Sequence, residues 1–484
     1  MTPESLLPAP LALEPGQVID GFRLEERLHQ GGMAHIWSVT RVEPLAGEDM
    51  PLIMKVPRIK GGEDPATIVG FEVEQMIMPV LKGVHVPRFV ARGDWTRQAY
   101  IVMERIPGAT LRPRLDDAPL PINEVIDIGI RVATALHALH RQHLIHLDVK
   151  PSNIMFRPNG EAVLVDFGLS RHDHLPDLLE EEFELPMGTG PYMSPEQVQF
   201  VRNDPRSDLF ALGVMLYHLL TGERPFGQPT TVRGLRERLY AEPRPPRAIR
   251  PEVPPWLQEV ILRCLEVDPA KRHPSAAQLA LDLREPQGVQ LTERAERLQT
   301  KGLLSRARRW FASIGTEPQS AGQAGTQVAR SPITMAAVDV DNATPALLEA
   351  LRDAVRRSVQ TAPGARLACV GVMRTARIGL DELTDSEGRS HHVKQLVALK
   401  HWARPLAAEL GLADGRLTFH VLEAPDVAEA IVEFANKCEV DHIIMGARSG
   451  SSLSGLRRAL GSVSSQVLAT SDCTVTMVRE KKAE

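Results

Sequence analysis

The run His146–Phe156, HLDVKPSNIMF, with Asp166-Phe167-Gly168 downstream, restricts this chain more than any other feature. It sets Asp148, Lys150 and Asn153 close together and then supplies a second acid, Asp166, of the type that holds a metal. Chance does not readily assemble the whole pattern.

The 484 residues suit two to four domains at about 100–200 residues each. Hydrophobic content of 43% and charged content of 24% match a soluble globular protein able to build cores. A net charge of -5 gives no reason to expect nucleic-acid binding. The four cysteines, Cys264, Cys369, Cys438 and Cys473, are scattered without metal-ligand spacing and read as reduced thiols. No run of about 18 apolar residues exists, so no transmembrane helix and no membrane association are expected. The N-terminus, MTPESLLPAPLALEPG, lacks a basic region and is broken by prolines, unlike a signal peptide. A cytoplasmic location is the expectation.

The opening run resembles the catalytic loop of protein kinases, in which an Asp is followed by an Asn five positions on and by Asp-Phe-Gly downstream. The resemblance implies that Asp148 accepts the proton of an attacking hydroxyl, and that Asn153 and Asp166 hold Mg2+ (or Mn2+) against the phosphates of ATP. Other segments extend the likeness across residues 18–286, with a small lobe to about 106 and a large lobe beyond. LHQGGMAHIWSV resembles the glycine-rich phosphate loop, with Gly31 and Gly32 at its tip but His29 and Ala34 at the first and third glycine positions. LIMKVPR places Lys55 in an alternating strand, matching the phosphate-clamping lysine. A buried lysine needs a partner, and GFEVEQMIMPVL offers Glu72 and Glu74, of which Glu74 has the family's spacing. YIVMERIPG looks like the last small-lobe strand entering the hinge, with Met103 as gatekeeper and the backbone of Glu104 to Ile106 meeting adenine.

The long helix predicted over 122–142 is core, and its His137 and His140 read as packing or surface residues. Leu147 stands where most kinases carry an Arg that pairs with an activation-loop phosphate, so activity independent of loop phosphorylation is expected. The acidic stretch Leu179 to Glu184 reads as a solvated loop. GTGPYMSPEQ resembles the end of the activation segment, with Ser194 in place of Ala. Thr189 is expected near Asp148 and Lys150, and Lys150 points to Ser/Thr rather than Tyr acceptors. By the same likeness Asp208 braces the catalytic loop and Arg272 pairs with Glu196.

Residues 287–331 change character. TKGLLSRARRWFASIG reads as a short basic amphipathic helix, and the Gly/Ala/Gln-rich stretch after it as a flexible linker. Over 332–480, apolar strands alternate with helices: PITMAAVDV, RLACVGVM, RLTFHVLEA, VDHIIMGARS and CTVTMVR. Five such strands in about 150 residues predict a doubly wound parallel α/β sheet, with ligands outside the carboxyl ends of the strands. Asp339 closes the first strand. MGARSGSSLSGLRRALGS resembles the Gly-x2-Gly-x9-Gly-Ser/Thr loop of universal stress proteins, fitted by Gly446, Gly450, Gly461 and Ser462 with Ser449 displacing the second glycine.

The expected fold is thus multidomain, an α+β two-lobe kinase fold followed by an α/β doubly wound parallel sheet. The expected function is transfer of the ATP γ-phosphate to protein Ser/Thr hydroxyls, with a stress domain that binds nucleotide or mediates homodimerisation. The alternative is an ATP-binding pseudokinase scaffold, motivated by His29, Ala34 and Leu147.

Overall fold

The computed structural model describes residues 13–30, 34–43, 50–58, 65–299, 331–362, 364–375, 390–412, 415–447 and 462–480. The chain opens with strands β1 (Val18–Ile19), β2 (Phe22–Gln30), β3 (Ala34–Arg41) and β4 (Leu52–Pro57) and helix α1 (Pro65–Ile77). Strands β5 (Phe89–Gly93) and β6 (Tyr100–Glu104) complete an antiparallel sheet in the order β1-β2-β3-β4-β6-β5. Side chains alternate across a strand. In β4 and β6, Leu52, Met54, Val56, Tyr100 and Val102 therefore bury on one face with Phe22, Leu24 and Trp37. Ile101 and Met103 turn to the other face, against α1, and Lys55 has the same parity as Ile53, on that inner side.

A larger helical lobe follows. It holds α2 (Ile122–His140), β7 (Leu144–Ile145), β8 (Ile154–Phe156), β9 (Ala162–Leu164) and β10 (Arg171–His172). Then come α3 (Leu178–Glu182), α4 (Pro195–Val198), α5 (Arg206–Thr221), α6 (Val232–Arg236), α7 (Pro246–Ile249), α8 (Pro255–Cys264), α9 (Ala276–Arg284) and α10 (Glu293–Glu296). Helix α5 is apolar all round and buried along nearly its whole length, as the axis of a lobe must be. The stretch read as the start of the linker stays on this lobe. Gln258 Nε2 donates to the carbonyls of Arg294, Ala295 and Arg297, and Arg294 pairs with Glu259 at 2.9 Å and Glu266 at 2.8 Å. The basic segment 301–314 lies outside the described residues.

The C-terminal unit alternates β11 (Ile333–Ala337), α11 (Pro345–Thr361), β12 (Arg366–Arg374), α12 (His391–Leu410), β13 (Leu417–Ala424), α13 (Val427–Lys437), β14 (His442–Gly446), α14 (Ser462–Thr470) and β15 (Thr474–Val478). All five strands are parallel, in the order β13-β12-β11-β14-β15. Helices α11 and α12 cover one face and α13 and α14 the other. The central strand β11 is buried at every position, which explains why ITMAA lacks polar alternation.

Candidate functional site

Lys55 projects from β4 toward α1, where its Nζ lies 2.5 Å from Glu74 Oε2 and 2.9 Å from Asp166 Oδ1. Two positions on an α-helix are about 200° apart, so Glu74 facing inward sends Glu72 to the outside of α1. Glu72 pairs there with Lys400 of α12 at 2.6 Å. Burial would lower the pKa of Lys55, but the carboxylates of Asp166 and Glu74 outweigh it and raise it above the ordinary value. Lys55 holds the Asp166 carboxyl down, to about 2. Burial, with Asp166 nearby, pushes the Glu74 carboxyl up against the pull of Lys55. Helix α1 can press onto the Asp-Phe-Gly turn because neither partner carries a Cβ. One built on Gly70 would lie 3.0 Å from the Gly168 carbonyl oxygen, and one on Gly168 3.1 Å from that of Gly70.

The loop carrying Asp148 is held from below by α5. Asp208 Oδ2 accepts the His146 amide at 2.9 Å and Oδ1 the Leu147 amide at 2.8 Å, while His140 Nε2 lies 2.9 Å from Oδ2. His140 is therefore a brace within the lobe. Leu147 itself adopts φ of 59° and is buried, an arrangement that costs a non-glycine residue roughly 1–2 kcal/mol. Its carbonyl accepts Gln197 Nε2 at 2.8 Å. Gln197 is fixed in turn by a capping box with Ser194 at the start of α4, so the serine that replaces alanine there has a structural task.

The Asp148 carboxylate accepts from three side chains and one backbone amide. Thr189 Oγ1 reaches Oδ1 at 2.6 Å with the Thr189 amide at 3.2 Å. Lys150 Nζ donates to Oδ2 at 2.6 Å and Asn153 Nδ2 donates to the same oxygen at 3.0 Å, and Lys150 Nζ also donates to Thr189 Oγ1 at 2.8 Å. Asn153 Nδ2 further donates to the Asp148 carbonyl at 3.0 Å, so the side-chain amide is held through its nitrogen. At the other end of the cleft, Met103 is buried in β6 between β4 and β5. The Glu104 amide donates to the Arg88 carbonyl and its side chain is gripped by Arg157. Among the described residues the Ile106 amide has no hydrogen-bond acceptor. Gly31 and Gly32 lie outside the described residues.

In the C-terminal unit, Asp339 and Gly446 line one cavity of about 740 Å³ at the carboxyl ends of β11 and β14. This is a size suited to a small-molecule ligand. Asp341, Arg374, Lys394 and Glu423 supply further charged groups to its wall, and Pro65, the first residue of α1, lines one side. Asp339 Oδ1 is partly engaged, accepting from the Asn342 amide and side chain at 3.1 and 3.0 Å. Gly446 is required by packing as well, since a Cβ there would lie 3.1 Å from Leu347 Cδ2. Gly450 and Gly461 lie outside the described residues, and Ser462 opens α14.

One expectation is overturned. The acidic stretch is not a solvated loop: Leu178–Glu182 forms α3, and Glu181 and Glu182 are enclosed by partners on β12 and β13. The sequence reading missed those partners, Arg366 and His420, and also missed Gln197. A signal existed in RLTFHVLEA, where Thr418 and His420 share the parity of buried positions in a strand.

Comparison with known proteins follows this division. The protein kinase domain family matches residues 60–282, and the universal stress protein family matches residues 334–479. The chain is 31% identical over 272 residues to the serine/threonine-protein kinase PknL of Mycobacterium tuberculosis, covering 56% of this chain and 67% of that relative. It is 33% identical over 278 residues to the serine/threonine-protein kinase PknB of Mycolicibacterium smegmatis, covering 56% of this chain and 43% of that relative.

Proposed function

Because this chain belongs to the serine/threonine protein kinases and carries a universal stress protein domain after its kinase domain, we propose that Lys55, Glu74, Asp148, Lys150, Asn153 and Asp166 perform its phosphoryl transfer. The carrying observation is the closed set of contacts joining Glu74 to Lys55 and Lys55 to Asp166. A scaffold that only binds ATP has no need of that set, and this weighs against the pseudokinase alternative.

The acceptor hydroxyl sits at Asp148, which takes its proton as the oxygen attacks the γ-phosphorus and the bond to the β,γ-bridging oxygen breaks, releasing ADP. Lys150, within reach of both the carboxylate and a hydroxyl at Oδ1, stabilises the charge that develops between them. Thr189 supports this by showing that a hydroxyl fits at 2.6 Å from Oδ1. Lys55, fixed in place by Glu74, holds the α- and β-phosphates, while the open Ile106 amide and the Glu104 backbone receive adenine under Met103. The donor chemistry of Asn153 and Asp166 fits a hard divalent cation: an amide oxygen on a side chain held by its nitrogen, and a carboxylate held ionised by Lys55. Mg2+, or Mn2+, bound there neutralises charge on the phosphates.

For the stress domain, the cavity lined by Asp339 and Gly446 supports a nucleotide ligand, with Ser462 at the head of α14 on the phosphate side. Strand β15 is an edge of its sheet among the described residues, which supports homodimerisation through that strand. No described helix is long and apolar enough to cross a membrane.

Incubation with labelled Mg-ATP and a generic Ser/Thr substrate, beside Asp148→Asn, tests the reading. Label transfer that the substitution abolishes supports it. ATP binding without transfer in either protein would favour the scaffold.

A further inference from the structure

Helix α3, in the middle of the activation segment, is wedged between α1 on one side and β13 and α13 of the stress domain on the other. The stress domain grips it with a matched set of groups. Arg366 forks onto Glu181 with both N–O distances at 2.6 Å, and the fork is aimed by Thr418 Oγ1, 2.8 Å from Arg366 Nη2. His420 Nδ1 lies 3.0 Å from Glu182 Oε1, with the two side chains 0% and 4% exposed. Lys437 Nζ donates to the Phe183 carbonyl at 3.4 Å. Gly415 admits Leu175, whose Cδ2 would lie 3.0 Å from a Cβ there. Bidentate and enclosed pairs of this kind are the strong ones.

The same domain also holds α1. Lys400 takes Glu72 at 2.6 Å from outside, and Lys55 takes Glu74 from inside, two positions further along the helix. The large lobe, in contrast, offers the activation segment no cation at position 147, where Leu is buried. The cation it does supply, Arg202, is engaged by Asp177 at the cap of α3, Nε to Oδ2 at 2.8 Å, and the segment's own Arg171 Nε lies 3.7 Å from the same oxygen.

We propose that the stress domain is a built-in activator of the kinase. By gripping α3 and α1 through Arg366, His420 and Lys400, it holds the activation segment and Glu74 in the arrangement phosphoryl transfer needs, in place of a loop phosphate. The proposal rests on the kinase reading given above.

The test uses the full-length chain as Arg366→Glu, Glu181→Arg and the double exchange. None of these residues belongs to the catalytic set. Each single variant is expected to lose about tenfold or more in kcat/KM, within the usual 5–150-fold range of coupling between sites. The double exchange is expected to recover much of that loss. Amide hydrogen exchange across 178–184 should rise in the singles and fall back in the double. Wild-type kcat/KM in both singles, or a gain in activity, overturns the proposal. Should Arg366→Glu fail to fold by calorimetry, Lys400→Met removes the α1 contact alone and is expected to lose activity in the same direction. A wild-type chain that transfers no phosphate sinks the kinase reading instead. The exchange behaviour then decides the docking, and unchanged exchange in the singles overturns it.

Discussion

Every N–H of the buried Arg272 guanidinium is engaged, and cutting it from Glu196 should be among the costliest single changes in this chain. Its side chain is 0% exposed. All five N–H donors of the guanidinium are used. Nη1 and Nη2 reach the two carboxylate oxygens of Glu196 at 2.5 and 2.7 Å, and the rest go to the carbonyls of Glu266, Val267 and Arg206. The plane also lies 5.0 Å from the Phe210 ring centroid. Removing one partner of such a pair leaves a buried charge uncompensated, at roughly 3–5 kcal/mol. At about 2–4 °C per kcal/mol for a domain near this size, Glu196→Ala should lower the kinase-domain melting temperature by roughly 6–20 °C. Arg272→Met should fall in the same range. The double variant, with neither charge left, should lose far less than the sum, because replacing both members of a buried pair is often close to neutral. Scanning calorimetry on the full chain gives the numbers, with the kinase transition identified by its shift on adding an ATP analogue. Single losses under about 1 kcal/mol, or strict additivity in the double, would refute the claim that the pair acts as one buried unit.

Other predictions address activity and docking. Glu74→Gln removes the charge that fixes Lys55 and should cut kcat on the order of 100-fold, a misplacement effect, with little change in melting temperature; steady-state kinetics and a melt check both. Gly70→Val would drive its side chain into the Gly168 carbonyl, 3.0 Å from even a Cβ, so α1 must retreat and activity should fall while overall folding persists by circular dichroism. Interdomain docking should also depend on pH. Burial and Arg366 hold His420 well below 6.5, so its contribution is present above 6.5 and is lost as pH falls. Burial, with Glu72, Glu181 and Glu423 around it, holds Glu182 well above 4.5 against Lys437, so its contribution is full below 4.5 and is lost as pH rises through the docked value. Between these ordinary values the docked pair and the separated groups carry the same single proton, and docking neither takes up nor releases one. Fluorescence transfer between labels on the two domains should therefore be flat from about pH 4.5 to 6.5 and decline above that; a rise from pH 6.5 to 8.5 would contradict the assignment.

Much of the molecule was legible because its chemistry lies in contiguous runs. Asp148, Lys150 and Asn153 fall within one loop, and the alternation of strands and helices after Ser331 predicts the parallel sheet that forms. Glu74 could be preferred over Glu72 on spacing, and helical geometry then sends the two in opposite directions. Contacts between distant segments were not legible. Arg366, His420, Lys437 and Lys400 sit on four different elements, and only the packing of two domains brings the first three to α3 and its C-terminal end and Lys400 to α1. The run Leu179 to Glu184 looked solvated because three consecutive glutamates are costly to bury alone, and the cations that offset the cost are far away in sequence. Gln197 was hidden likewise, since its task depends on a carbonyl fifty positions earlier.

The most direct test of the whole account is single-turnover transfer of label from Mg-ATP to a Ser/Thr substrate, wild type beside Asp148→Asn. The account predicts rapid transfer by the wild type, abolished in the variant while ATP affinity is kept. Equal transfer by both proteins, or none by a wild type that still binds ATP, would contradict it.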